Sequence, residues 1–158
     1  MAWSSTKLES EPSGLKFKPF AKILLGLDLS EQASRVAQTA SYLVESLRAN
    51  VIVAYVVKAQ TSVAGNESDG TPANQEERHA LDSLHLLIHQ VFGTAGDRID
   101  VKILHGDPAQ RLVEYADFSS CDLIIVGSRS KGPLRAAVLG SVSGSVVTRS
   151  KKPVLVLK

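Results

Sequence analysis

The chain has 158 residues, 44% of them hydrophobic and 22% charged, with a formal net charge of +2. That length fits one domain and buries about 70% of its unfolded surface without help from a disulfide or a metal. The near-neutral charge argues against nucleic acid as a bulk partner, and the lone Cys121 excludes an internal disulfide and suits a reducing compartment.

No stretch approaches the roughly 20 apolar residues that a membrane helix requires, so no membrane partner is expected. Residues 1–19 mix charges of both signs with Pro and Gly and lack the apolar core of a signal peptide. They read as a flexible N-terminal arm on a cytoplasmic protein, with one α/β domain over residues 20–158.

Phe20 to Leu27 is an apolar run of strand length that ends at Asp28. Ser30 is placed to cap the following helix. Ala33, Val36, Ala37, Ala40, Leu43, Val44 and Leu47 recur there at three- and four-residue steps, which puts them on one helical face. Asn50 punctuates, and Val51 to Val57 reads as a second buried strand. Lys58 to Ala73 has no period and is longer than most connections in compact domains.

Helical spacing returns from Asn74 to Phe92 through Leu81, Leu84, Ile88 and Val91. Asp97 to Leu104 reads as a third strand, with Ile99, Val101 and Ile103 alternating. Asp107-Pro108 is a helix cap with proline at the first helical position, and Leu112, Val113 and Ala116 carry that helix inward. Cys121 to Gly127 reads as a fourth strand, continuously apolar after Asp122, as a central parallel strand should be. A glycine- and basic-rich stretch, Ser128 to Arg135, leads to a helix that starts near Gly140-Ser141 and runs to Arg149. Pro153 to Leu157 closes the chain as a fifth strand.

Strand and helix in alternation mean parallel pairing, right-handed crossovers and helices on both faces. Ligands of such sheets sit beyond the carboxyl ends of the strands where the strand order reverses. The candidate site is therefore at the ends of strands one and four, at Asp28 and the segment after Val126. Glycines there let the backbone approach a ligand and adopt positive φ. Gly140 and Ser141 open a helix whose free amides and positive dipole end suit a phosphate, and Ser141 and Ser143 add hydroxyl donors. Arg129, Lys131 and Arg135 supply positive charge along the loop.

Other motifs carry less. His79, His85 and His89 lack the Glu of a zinc-protease helix and any nearby third ligand, so they read as a solvated face. His105 beside Gly106 reads as a turn residue. There is no GxxxxGK[ST] phosphate loop and no GxSxG elbow. Cys121 reads as a small core residue.

The strand-one end LGLDLSE, the HGDP turn, the DLIIVGSRSKGPLRAAVLGSVSGSVV segment and the terminal KKPVLVLK resemble the universal stress proteins, in order and with the expected spacings from Phe20 to Lys158. The nucleotide-binding branch of that family carries glycine, two residues, glycine, nine residues, then glycine followed by Ser or Thr. Gly127, Gly140 and Ser141 match, while Ser130 stands at the second glycine. Where that position needs positive φ, a non-glycine residue costs on the order of 1 kcal/mol, and Gly132 offers local relief.

The resemblance implies a Rossmann-like, five-stranded, doubly wound parallel sheet of strand order 3-2-1-4-5. It implies ATP or AMP as ligand, with Mg²⁺ accompanying ATP. Adenine would pack near Val56, Asp28 would contact ribose or adenine, and phosphates would lie against Gly127, Arg129, Ser130, Gly140, Ser141, Val142 and Ser143, with Val126 also among the nucleotide-binding residues. It also implies a homodimer joined through the last strand, acting as a stress-response signalling module. The alternatives are a dimeric interaction scaffold that binds no nucleotide, or a slow ATPase or autokinase modified at Ser141 or Ser143. An enzyme that adenylates a substrate would need a Ser- and Gly-rich loop after strand one, which LDLSEQAS does not provide.

Overall fold

The computed structural model describes residues 20–58, 72–128 and 139–158. Five strands form one parallel sheet: β1 (Lys22–Gly26), β2 (Asn50–Val57), β3 (Ile99–His105), β4 (Leu123–Gly127) and β5 (Val154–Leu157), in the order β3-β2-β1-β4-β5. Four α-helices connect them: α1 (Ala33–Leu47), α2 (Pro72–Phe92), α3 (Pro108–Phe118) and α4 (Ser141–Arg149). Among the described residues no helix is long and apolar enough to cross a membrane.

The three central strands have no solvated face, and the period-two alternation of side chains divides them between two cores. Ile23 and Leu25 of β1, Val51 and Val53 of β2, and Ile125 of β4 pack on one face against Val36, Ala40 and Val44 of α1 and Leu84, Ile88 and Phe92 of α2. Leu24, Ile52, Ile124 and Val126 point the other way, onto Ala109, Leu112 and Ala116 of α3 and Val146 of α4. This is why those strands read as continuous apolar runs while the edge strand β3 alternates, with Asp100 and Lys102 exposed between Ile99, Val101 and Ile103.

The element boundaries differ from the sequence expectations in instructive ways. Helix α1 starts at Ala33, not at a Ser30 cap, and its N-cap residue Gln32 makes no side-chain capping bond. Ser30 is instead occupied with Asp28. Helix α2 starts at Pro72, where the fixed φ of proline suits a first helical position. It ends at Phe92, and the φ of +53° at Gly93 supplies the left-handed turn that stops a helix. A 3₁₀ turn over Gly93–Arg98 then delays β3 to Ile99. Asp107 caps α3 as expected, its carboxylate accepting the Gln110 N–H at 2.9 Å with Pro108 at the first helical turn.

The order of the strands places a crevice in the sheet. The chain leaves β1 towards α1 on one face and leaves β4 towards α4 on the other, although β1 and β4 are neighbours. The two connections diverge, and the ends of β1 and β4 stay uncovered between them.

Candidate functional site

That crevice holds a cavity of about 670 Å³. Its floor is the carboxyl ends of the three central strands. Gly26 to Ser30 come from β1 and the turn after it, Tyr55, Val56 and Lys58 from β2, and Val126, Gly127 and Ser128 from β4. One wall is the start of α4, Gly140 to Ser143; α1 contributes Val36, α3 Pro108 and Leu112, and α2 contributes Glu76. From β2 to β4 is two strand spacings, about 10 Å, so one elongated molecule could touch both ends.

Of the residues singled out from sequence, Asp28, Val56, Val126, Gly127, Gly140, Ser141, Val142 and Ser143 all line this one cavity. Arg129 and Ser130 lie outside the described residues, as do Lys131, Gly132 and Arg135. Sequence reading missed Ser30, Tyr55, Lys58, Glu76 and Ser128. Lys58 follows a strand and Ser128 follows Gly127, so position relative to a strand end could have flagged both. Nothing in the sequence links Glu76 on α2 to the other residues.

The glycines act here through space rather than through φ. Gly140, the N-cap residue of α4, has φ −60° and ψ 159°, extended backbone open to any residue. Gly127 is not among the positive-φ positions either. A Cβ on Gly127 would lie 2.9 Å from Cγ2 of Val36, and one on Gly26 would lie 2.9 Å from Cδ1 of Leu112. Missing side chains let α1 and α3 close onto the strand ends and shape the cavity.

The α4 terminus is open to an anion. The first intrahelical bond runs from the Gly144 N–H to the Gly140 carbonyl, at 2.8 Å. The amides of Ser141, Val142 and Ser143 therefore precede the helical ladder. Gly140 offers no side-chain cap, and the first turn carries no acidic residue. Helix α3 opens beside the same cavity but has the Asp107 carboxylate on its Gln110 amide. Among the described residues, an anion entering the crevice thus meets one helix start with a side-chain cap and one without.

The hydroxyls differ from the expectation in one respect. Ser143 is buried and its Oγ donates to the Gly140 carbonyl at 3.1 Å, so that proton is committed to the helix. Ser141 is exposed. Ser128 is buried at 3% exposure, and among the described residues its Oγ has no hydrogen-bond partner. At the β1 end, Ser30 donates to the Asp28 carboxylate through both its backbone N–H, at 3.1 Å, and its hydroxyl. His105 stands apart from the cavity lining, its Nε2 3.8 Å from Oε2 of Glu77. Cys121, before β4, is buried in the α3/α4 core, and that burial pushes its thiol up from the ordinary value of 9.0.

The sequence model described as the universal stress protein family matches residues 19–158. The chain belongs to that family. A universal stress protein of Methanocaldococcus jannaschii is 29% identical over 145 residues, covering 88% of this chain and 82% of that one. A stress response protein of Bacillus subtilis is 42% identical over 59 residues, which span only 37% of this chain and 36% of its relative. Among solved structures, a universal stress protein from Lactobacillus plantarum superposes with a TM-score of 0.72 at 23% identity, covering 90% of this chain and all (100%) of that one. A universal stress protein solved in complex with cAMP superposes with a TM-score of 0.61 at 25% identity, covering 89% and 98% of the two chains. The strand order of this universal stress protein, β3-β2-β1-β4-β5, is the order its sequence resemblance implied.

Proposed function

We propose that this universal stress protein binds an adenine nucleotide, ATP or AMP, in the crevice between β1 and β4. The observation that carries the reading is the single cavity that joins the β2 end at Val56 to the uncapped start of α4. A base against Val56 at the β2 end and a phosphate on the α4 amides would occupy its two ends, with Asp28 between them in the turn after β1. Asp28 accepts from ribose or adenine in this reading, and Val126, Gly127 and Gly140 to Ser143 surround the phosphates. Arg129 and Ser130, which follow Ser128 in the sequence, are included on the family resemblance alone. The complex of a related universal stress protein with cAMP supports the adenine class.

ATP would enter with Mg²⁺ bound to its phosphates. The protein would act as a cytoplasmic signalling module whose partners read its nucleotide state. It would work as a homodimer joined along β5, an edge strand with half-buried apolar residues Val154 to Leu157. Of the two hydroxyls an autokinase would modify, Ser141 is exposed, whereas Ser143 is too buried to serve as a phosphorylation site without local opening.

The test is calorimetric titration with AMP and with ATP and Mg²⁺, beside a Gly140→Asp variant. The expected result is micromolar binding that Gly140→Asp abolishes, because a carboxylate at that N-cap repels phosphate and takes its amides. A wild-type protein that is free of co-purified ligand and takes up neither nucleotide would leave the scaffold reading in its place.

A further inference from the structure

We propose that Glu76 and Lys58 together read the edge of the base and select adenine against hypoxanthine and guanine. Their role rests on the nucleotide reading above and adds to it the side chains that set base specificity. Among the described residues, three charged side chains line the cavity: Asp28, Lys58 and Glu76. Asp28 is engaged by Ser30. Among the described residues the side chains of Lys58 and Glu76 form no ion pair and no hydrogen bond. Two opposite charges thus face one cavity, and the fold uses neither.

The fold carries both charges to the end of the cavity remote from α4. Lys58 directly follows β2, whose last residue, Val57, pairs with His105 at the end of β3. The Nε2 of His105 lies 3.8 Å from Oε2 of Glu77, which places that turn of α2 beside the carboxyl end of β3. Glu76 precedes it and lines the cavity. Helix α4 begins after β4, on the opposite side of β1 in the sheet order. A phosphate at the Val56 end would be repelled by Glu76. A base edge that presents a donor beside an acceptor complements both charges.

Adenine has such an edge, with the N6 amino group as donor and N1 as acceptor. A carboxylate only accepts and an ammonium only donates. Glu76 accepts from N6, and Lys58 donates to N1. Hypoxanthine and guanine carry O6 and N1–H at the same two positions, so the same pair meets acceptor with acceptor and donor with donor. A base whose sugar is held at Asp28 and whose phosphate is held at α4 cannot turn over to exchange them. Polar groups left mismatched in this way are what lets a site reject a close analogue. Both side chains are exposed, so water competes and the preference is graded, not absolute.

The experiment titrates AMP and inosine monophosphate into wild type, Glu76→Ala and the double variant Lys58→Glu with Glu76→Lys. Wild type should prefer AMP about tenfold. Glu76→Ala should weaken AMP about fivefold and leave inosine monophosphate unchanged or tighter, because only the adenine contact is lost. The double variant exchanges donor and acceptor and should prefer inosine monophosphate. A merely structural role for Glu76 would weaken both nucleotides by the same factor, and that result overturns the proposal. So does a wild type that binds the two alike, or a double variant that keeps the preference for AMP. A wild type that binds neither nucleotide refutes the nucleotide reading itself, whereas a preference for AMP that is indifferent to Glu76 refutes only this inference.

Discussion

Ser30 holds Asp28 by two hydrogen bonds onto one carboxylate oxygen, from its backbone N–H at 3.1 Å and from its hydroxyl. The pair closes the turn after β1 and fixes the one acidic group that β1 presents to the cavity. A serine two residues after an aspartate suits a helix cap equally well in sequence, and only the fold decides between them. Here α1 begins at Ala33, and the Ser30 carbonyl, not its side chain, meets the Ala33 N–H at 2.9 Å.

Ser30→Ala is therefore expected to act on binding through Asp28. Loss of one hydrogen bond of about 1 kcal/mol loosens the carboxylate and weakens AMP roughly fivefold. Ser30→Thr, which keeps the hydroxyl, should recover most of the affinity. Titration of both variants with AMP and 2′-deoxy-AMP gives the readout. A positioning role predicts that Ser30→Ala narrows any preference for the ribonucleotide, whereas a merely structural role would leave the ratio unchanged.

The close approach of Gly127 to Val36 sets a second prediction. A Cβ at Gly127 would sit 2.9 Å from Val36 Cγ2, and valine on a helix has essentially one χ1 rotamer with which to yield. Gly127→Ala should cost about 1–3 kcal/mol of stability by overpacking. Combined with Val36→Ala, which clears the space, it should cost far less than the two single changes added together. Urea unfolding of the four proteins of this cycle checks it, and strict additivity would remove the steric explanation.

Much of this arrangement is legible in the sequence, and what is not has a physical reason. The apolar runs of β1, β2 and β4 and the three- and four-step spacing of α1 are written locally, because burial on both faces of a strand and on one face of a helix leaves a local pattern. The convergence of Asp28 with Gly140 and Ser141 follows from strand–helix alternation, which brings strand ends together whatever lies between. Glu76 is different. It reaches the cavity from α2, an element whose own pattern reports only its buried side, Leu84, Ile88 and Phe92. Ser128 is different again, since a serine after a strand is ordinary until its neighbours are seen to leave its hydroxyl without a partner. Gly127 is visible as a glycine in sequence, but the reason for it, Val36 across the α1 face, is a tertiary contact.

Cys121 yields a pH prediction. Burial raises its thiol above the ordinary value of 9.0, so the folded protein keeps a proton that the unfolded chain releases. The stability this proton represents is fully present below the unfolded value and is lost as pH rises through the folded one. Cys121→Ala should therefore flatten the fall in stability above about pH 9, at the cost of a small cavity that lowers stability throughout. Denaturant unfolding from pH 7 to 10 measures the slope. In the same range the native thiol should react with a thiol reagent far more slowly than the unfolded chain, because it is 1% exposed.

The two helix starts beside the cavity should respond in opposite directions when their caps are exchanged. Asp107 satisfies an amide of α3, and Asp107→Ala should lower stability by about 1 kcal/mol, a Tm loss of about 2–4 °C for a chain of this size. Gly140 satisfies none of the α4 amides with a side chain, yet its φ of −60° accommodates any residue. Aspartate is among the strongest N-caps, so Gly140→Asp should hold or slightly raise the ligand-free Tm. A protein selected for stability alone has no reason to forgo that cap. A protein that reserves those amides for a phosphate does, and the same Gly140→Asp variant should then have lost all stabilisation by AMP. Thermal melts of both variants with and without AMP decide the matter. A Gly140→Asp protein that is stabilised by AMP as strongly as wild type would mean that the α4 terminus is not where the phosphate binds.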